Sequence, residues 1–181
     1  MRKLRQLGGT MRLIYVLCLC VLPIYVILFW LTNGYPFGGN VPLQIFLYEG
    51  PSLPPIAMLP LNLKIYGLLV NLIPVSLGML LLAFLIRLFH RFSQGEIIST
   101  QIVKLIRYIA WTFLWIQLIR PFYSLLMSFV LTLLYPVKYR FAYLGISVQD
   151  ILMIFVAATL LLIAWVFAEY YKMHKEQEFT V

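Results

Sequence analysis

Arg120, followed by Pro121, stands near the centre of a long apolar stretch, 109–134. No other apolar stretch of the chain carries a charge so far from its ends. If this stretch crosses a bilayer, a guanidinium lies close to the midplane, where an unpaired charge costs several kcal/mol. It must therefore meet acceptor oxygens from carbonyls, amides, water or an anion.

The neighbours of Arg120 are polar in a regular way. Ser124, Ser128 and Thr132 follow it at four-residue spacing, and Gln117 precedes it by three. On a helix these residues share one side and drift slowly round the axis. Small polar residues so spaced let two helices approach closely and hydrogen-bond across the contact. Ala157, Ala164 and Ala168 are the expected counterparts on the following span, with Thr159 as a polar contact. Pro121 has no N–H, so the Gln117 carbonyl one turn earlier is released from the helix ladder and is free to accept from Arg120. In the second apolar stretch Asn71, Pro74, Ser76 and Gly78 cluster. Pro74 opens a local kink, and an inward-facing Asn71 needs a polar partner.

No acid is expected at the depth of Arg120. Asp150 falls near the outer end of the fourth stretch and Glu169 near its inner end. At about 1.5 Å per residue each is roughly 15 Å away in depth, so a direct ion pair is not expected. Two readings stay open. In one, Arg120 is a clamp between helices, satisfied by Asn71, Gln117 and carbonyls. In the other, Arg120, Asn71, Gln117, Ser124 and Ser128 bind an anionic ligand such as a lipid headgroup or a fatty-acid carboxylate.

Catalysis is not expected. The spans hold no His/Asp/Glu cluster, no zinc spacing and no Cys–His pair. Ser124 and Ser128 have no histidine or lysine near them to act as base, and Tyr123 does not supply one. Cys18 and Cys20 form C-x-C inside the first stretch, which is neither a redox pair nor half of a zinc site. They read as apolar packing residues. No metal and no cofactor is expected, and a lone His174 in the tail reads as a surface residue.

Composition fixes the elements that must hold these residues. Of the 181 residues 63% are hydrophobic and only 11% are charged. Soluble domains carry roughly 25% charged residues, so no soluble fold hides this much apolar surface. Each span needs about 20 mostly apolar residues. Four stretches qualify: 13–31, 65–86, 109–134 and 151–168. The expected fold class is all-α, an integral membrane bundle of four transmembrane helices forming a single domain. The first stretch is too long for a signal peptide and lacks a small-x-small site, so it reads as a retained span.

The net charge of +8 suits a membrane better than nucleic acid, and no direct nucleic-acid contact is expected. With the N-terminus inside, the inner segments hold Arg2, Lys3, Arg5, Arg12, Arg87, Arg91, Lys104, Arg107, Lys172 and Lys175. The outer ones hold only Lys64, Lys138 and Arg140. This asymmetry predicts both termini inside and favours anionic lipids as neighbours. Trp30, Tyr66 and Tyr135 fall at the expected outer boundaries, and Tyr108, Trp111, Tyr170 and Tyr171 at the inner ones.

The outer loop, 32–64, is rich in proline and glycine, and 43–48 has the pattern of a short strand. The inner connection, 87–108, reads as a basic helix end turning at Gly95, with Ser99 or Thr100 capping the next helix. Ile102, Leu105, Ile106 and Ile109 then keep helical period, with Lys104 and Arg107 on the other face. The tail, 169–181, carries charge pairs that let a surface helix continue.

Two stretches carry a family likeness: Arg87-Leu-Phe-His-Arg-Phe-Ser-Gln-Gly-Glu-Ile-Ile-Ser-Thr-Gln-Ile-Val-Lys-Leu-Ile-Arg-Tyr-Ile109, and the ending Glu176-Gln-Glu-Phe-Thr-Val181. With four spans, they resemble a bacterial four-helix membrane family known only as a domain of unknown function, the DUF2975 type. Gly95-Glu-Ile-Ile-Ser99 departs from that family's turn, with Ile98 where an aromatic is usual. The resemblance implies a multi-pass protein of the bacterial inner (plasma) membrane and no catalytic residues. Relatives that accompany small helix-turn-helix regulators would suit a membrane-tethering role.

The expected function is therefore regulatory or scaffolding, with Arg87, Arg91, Lys104 and Arg107 meeting a cytoplasmic protein partner. The alternative is a small carrier or lipid-binding protein built round Arg120, which would need a homo-oligomer because four spans are few for a pathway.

Overall fold

The computed structural model describes residues 2–31, 60–95, 99–133, 140, 142–146 and 148–178. It contains four long helices: α1 (Arg2–Leu31), α2 (Leu61–Gln94), α3 (Thr100–Leu131) and α4 (Val148–Glu178). All four are long and apolar enough to cross a membrane, and the expected all-α, four-span class is what the chain adopts. The helices outrun the apolar stretches that announce them. α1 starts well before residue 13, and α2 takes the last residues of the expected outer loop. At the other extreme α3 stops at Leu131, short of residue 134, and a turn follows at Thr132 and Leu133. The strand-like patch 43–48, Tyr135 and the side chain of His174 lie outside the described residues.

The α2–α3 connection forms as its residues dictate. Gly95 closes α2 with φ 88°, a left-handed conformation that glycine adopts without Cβ strain. Its N–H reaches the carbonyl of Phe92 at 3.0 Å. Ser99 caps α3, its hydroxyl accepting from the N–H of Ile102 at 3.3 Å. Ile102 is buried behind this cap, while Lys104 and Arg107 are exposed.

Each helix packs chiefly on its neighbour in the chain: α1 on α2, α2 on α3, α3 on α4. Named contacts fix the relative levels. Between α1 and α2, the rings of Tyr15 and Phe89 meet tilted with centroids 5.4 Å apart, and Trp30 lies over Gly67. Between α2 and α3, Phe84 stacks on Tyr108 at 5.5 Å, and Asn71 meets Tyr123. Between α3 and α4, the hydroxyls of Thr100 and Tyr171 are 2.9 Å apart. The pairs run antiparallel. One end of the molecule carries Arg12, Arg87, Lys104 and Arg107 and is called the basic end; the loop end is opposite.

Trp30 does not sit at a water boundary as its position suggests. It is buried, and it fills the space left by the missing side chain of Gly67. The core forms there, from Leu22, Val26, Phe29 and Trp30 of α1, Leu63 and Val75 of α2, and Tyr123, Met127 and Leu131 of α3. Elsewhere the helices turn large apolar side chains outward, among them Leu17, Leu69, Trp115, Phe122, Phe155 and Trp165. A surface of this kind is stable against lipid. The protein is a multi-pass membrane protein.

Candidate functional site

Three helices carry an internal proline: Pro23 in α1, Pro74 in α2 and Pro121 in α3. The contacts above place the three within about one helical turn of a common level, near the middle of the apolar band. Each removes one N–H from its own ladder, so this level holds released carbonyls. α4 begins at this level as well. It does not continue to the loop end alongside α3.

That offset overturns the expectation about Arg120. Its Nη1 lies 2.6 Å from Oδ1 of Asp150, an ion pair between α3 and the first turn of α4. A separation in depth of roughly 15 Å holds only if the apolar stretches of α3 and α4 align end to end. The two are out of step by several residues, and Asp150 is drawn to the depth of Arg120. The Asp150 side chain is buried, and that of Arg120 is 22% exposed. Asp150 also sits where the partial positive charge of the α4 N-terminus favours a carboxylate. The pair is partly desolvated, so removing either partner alone strands a charge.

The hydroxyl line of α3 has a different partner from the expected one. Chain segment 142–146 lies along α3 before α4 begins. The N–H of Tyr143 donates to Oγ of Ser128 at 2.8 Å. The N–H of Gly145 donates to Oγ of Ser124 at 3.2 Å. Ser124 and Ser128 in turn donate to carbonyls of their own helix, Pro121 at 2.8 Å and Leu125 at 2.9 Å. The spacing explains the fit. Two residues of extended chain rise about 6.6 Å, close to the roughly 6 Å between helix positions four apart. Ser124 and Ser128 therefore bind alternate N–H groups of this segment. Thr132 turns back on its helix, donating to the carbonyl of Ser128 at 2.8 Å. On α4, Ala157 and Ala164 are buried as expected of close helix contacts, but Thr159 is exposed and bonds only to the carbonyl of Phe155 at 2.9 Å.

Asn71 has the polar partner it needs. It is fully buried, and its Oδ1 accepts from the Tyr123 hydroxyl at 3.1 Å. Nothing in the sequence marks Tyr123 as this partner; its place at i+3 from Arg120 puts it on a neighbouring face, towards α2. Gln117 is buried one turn towards the basic end from Arg120, and its Oε1 has no hydrogen-bond donor among the described residues. The five residues of the candidate ligand set thus share one region but have separate partners: Asn71 faces Tyr123, Arg120 faces Asp150, and the serines hold the chain.

The basic end has its own contact. Nη1 of Arg12 on α1 lies 3.0 Å from Nδ1 of His90 on α2, and Nε2 of Gln94 is 3.3 Å from His90 Nε2. An arginine only donates, so His90 Nδ1 accepts there. Arg87, Lys104 and Arg107 are exposed, and Arg91 is half-buried. Cys18 and Cys20 are free thiols on the exposed surface of α1.

No curated protein and no solved structure matches the chain. A family model does match, over residues 28–181, which takes in α2, α3, α4, the Arg120–Asp150 pair and the serine line. On that match the chain belongs to the family described as Protein of unknown function (DUF2975).

Proposed function

We propose that this protein is a non-catalytic regulatory or scaffolding component of a bacterial inner membrane, with both termini cytoplasmic and a cytoplasmic protein as its partner. The observation that carries the reading is a division of labour among its polar residues. Within the apolar band Asn71, Arg120, Ser124, Ser128 and Thr132 bond to the protein itself. At the basic end Arg87, Lys104 and Arg107 stand exposed on two adjacent helices. An acidic surface on a partner, assisted by anionic headgroups, complements that end.

The reading is tested by affinity capture from membranes in mild detergent, using wild type and the triple variant Arg87→Glu, Lys104→Glu, Arg107→Glu. Wild type is expected to bring down a specific protein that the triple variant loses. Recovery of nothing specific by wild type removes the reading.

One observation favours a second reading, a small carrier or anion-binding protein. Gln117 Oε1 is buried beside Arg120 and accepts from no described residue. A ligand with both an anionic group and a donor would suit Arg120 and Gln117 together. Gln117→Leu, which leaves the Arg120–Asp150 pair in place, separates the readings. A carrier loses ligand binding with its assembly intact, whereas a protein that holds no ligand here keeps its assembly and its partner.

A further inference from the structure

The stacked rings of Phe84 and Tyr108 join two exposed stripes, one on each side of the α2–α3 seam. On α3, Lys104, Tyr108, Trp111, Trp115, Leu118 and Phe122 recur at alternating spacings of four and three, which puts them on one face, and all are exposed. Ile102, Ala110, Thr112 and Gln117, on the other faces of α3, are buried. On α2, Ile73, Leu80 and Arg87 repeat every seven residues and are exposed as well. α1 packs on α2 and α4 packs on α3, and neither covers the face between the two stripes.

The antiparallel register at the stacked rings fixes what lies beyond them. Arg87 stands three residues past Phe84 on α2, and Lys104 stands four residues before Tyr108 on α3, both towards the basic end. At about 1.5 Å per residue each is roughly 5 Å past the rings, so the two cations come level with one another across the seam. Tyrosine favours the edge of the hydrocarbon. The polar layer beyond that edge is roughly 5–8 Å thick, so Arg87 and Lys104 fall among headgroups. Among the described residues neither cation has an ion-pair or hydrogen-bond partner, and the Tyr108 hydroxyl has none either.

We infer that this seam binds an anionic phospholipid, its phosphodiester held between Arg87 and Lys104 and its acyl chains laid along Trp111 and Trp115. Charge and depth together select this occupant. Two unpaired cations at one level match a single phosphate, Arg87 offering a fork of N–H donors and Lys104 a point charge. The Tyr108 hydroxyl adds a donor on the membrane side. Below it both stripes are apolar as far as mid-depth, which suits acyl chains. An acidic protein segment would meet the charges and leave the stripes to bulk lipid. The site goes beyond the proposed cytoplasmic partner: it needs no second protein and lies on the membrane side of the basic end.

The test uses the purified full-length protein in bilayer nanodiscs with no other protein present, so its outcome is separate from that of the capture experiment. Trp165→Phe removes the exposed tryptophan of α4. Trp111 and Trp115 then remain exposed, and Trp30 is buried. Phosphatidylglycerol with brominated chains should quench this protein at a much lower mole fraction than brominated phosphatidylcholine does. Arg87→Gln and Lys104→Gln should each weaken that preference about five-fold, and the double variant roughly thirty-fold. The single changes carry the test if the double variant melts early. Lys172→Gln removes an exposed charge from α4 at the same end and should keep most of the preference. Phospholipid retained in native mass spectrometry should follow the same order. The inference is overturned if wild type shows no preference, if Lys172→Gln loses as much as the double variant, if the double variant melts like wild type and keeps the preference, or if inorganic phosphate displaces the lipid.

Discussion

The hydroxyl of Ser128 accepts the N–H of Tyr143 at 2.8 Å, and through it a helix holds a returning stretch of non-helical chain. This contact, repeated one turn away by Ser124 and Gly145, lets the chain return along α3 without helical structure of its own. Both ends of the returning segment are then fixed, one by the serines and the other by the Arg120–Asp150 pair. The polar residues of α3 are thus a single device that starts α4 at mid-depth.

Replacing a serine with alanine should leave a part-buried N–H unsatisfied. Ser128→Ala and Ser124→Ala are each expected to cost about 1–3 kcal/mol, seen as a lower Tm in a fixed detergent. Threonine at either position keeps the hydroxyl and should recover part of the loss. Equal stability of Ser128→Ala and wild type would show that the segment is held by something else.

Gly67 and Trp30 make a second prediction. A Cβ at residue 67 falls onto the six-membered ring of Trp30, which is itself buried in the core. Gly67→Ala should overpack this contact and cost about 1–3 kcal/mol. Trp30→Leu in the same chain opens room and should relieve much of the penalty. Additive losses in the thermal melts of the two single variants and the double variant would mean that the residues do not meet.

Gly8 makes a third, at the basic end. A Cβ there would lie 2.9 Å from the backbone nitrogen of Ser93, which cannot move aside as a side chain can. Gly8→Val is expected to separate α1 from α2 at that end and break the Arg12–His90 contact. Gly9 has open space around it, so Gly9→Val should be nearly neutral. Limited proteolysis of the first residues compares them: faster cleavage for the residue 8 variant alone is expected, and matched rates would refute the packing.

Much of this architecture is legible in the residues. Four apolar stretches announce four spans, Gly95 and Ser99 mark their turn, and the spacing of Ile102 and Lys104 gives the buried and exposed faces of α3. Residues 117, 120, 124 and 128 stand out because polar groups in an apolar stretch must be satisfied. Their partners were hidden for a physical reason. Apolar length alone aligns the two stretches at a common boundary, whereas the register between α3 and α4 is set by packing. One sign was present: 151–168 is much shorter than 109–134, and Asp150 stands at its edge. A short apolar stretch beside a long one means that non-helical chain occupies the difference. Trp30 misled for a related reason. An aromatic near a span end suits a headgroup or a glycine on the next helix, and only the α1–α2 register decides between them.

The central claim is that Arg120 is held by the protein's own carboxylate. A double-mutant cycle tests it most directly, through the Tm of Arg120→Leu, Asp150→Leu and the double variant in one lipid–detergent mixture. Each single change should cost about 3–5 kcal/mol, because each strands the opposite charge in a partly desolvated place. The double variant should lose much less than the sum, and about as little as neither charge being present allows. Losses that simply add, or an Arg120→Leu protein as stable as wild type, would contradict the pairing.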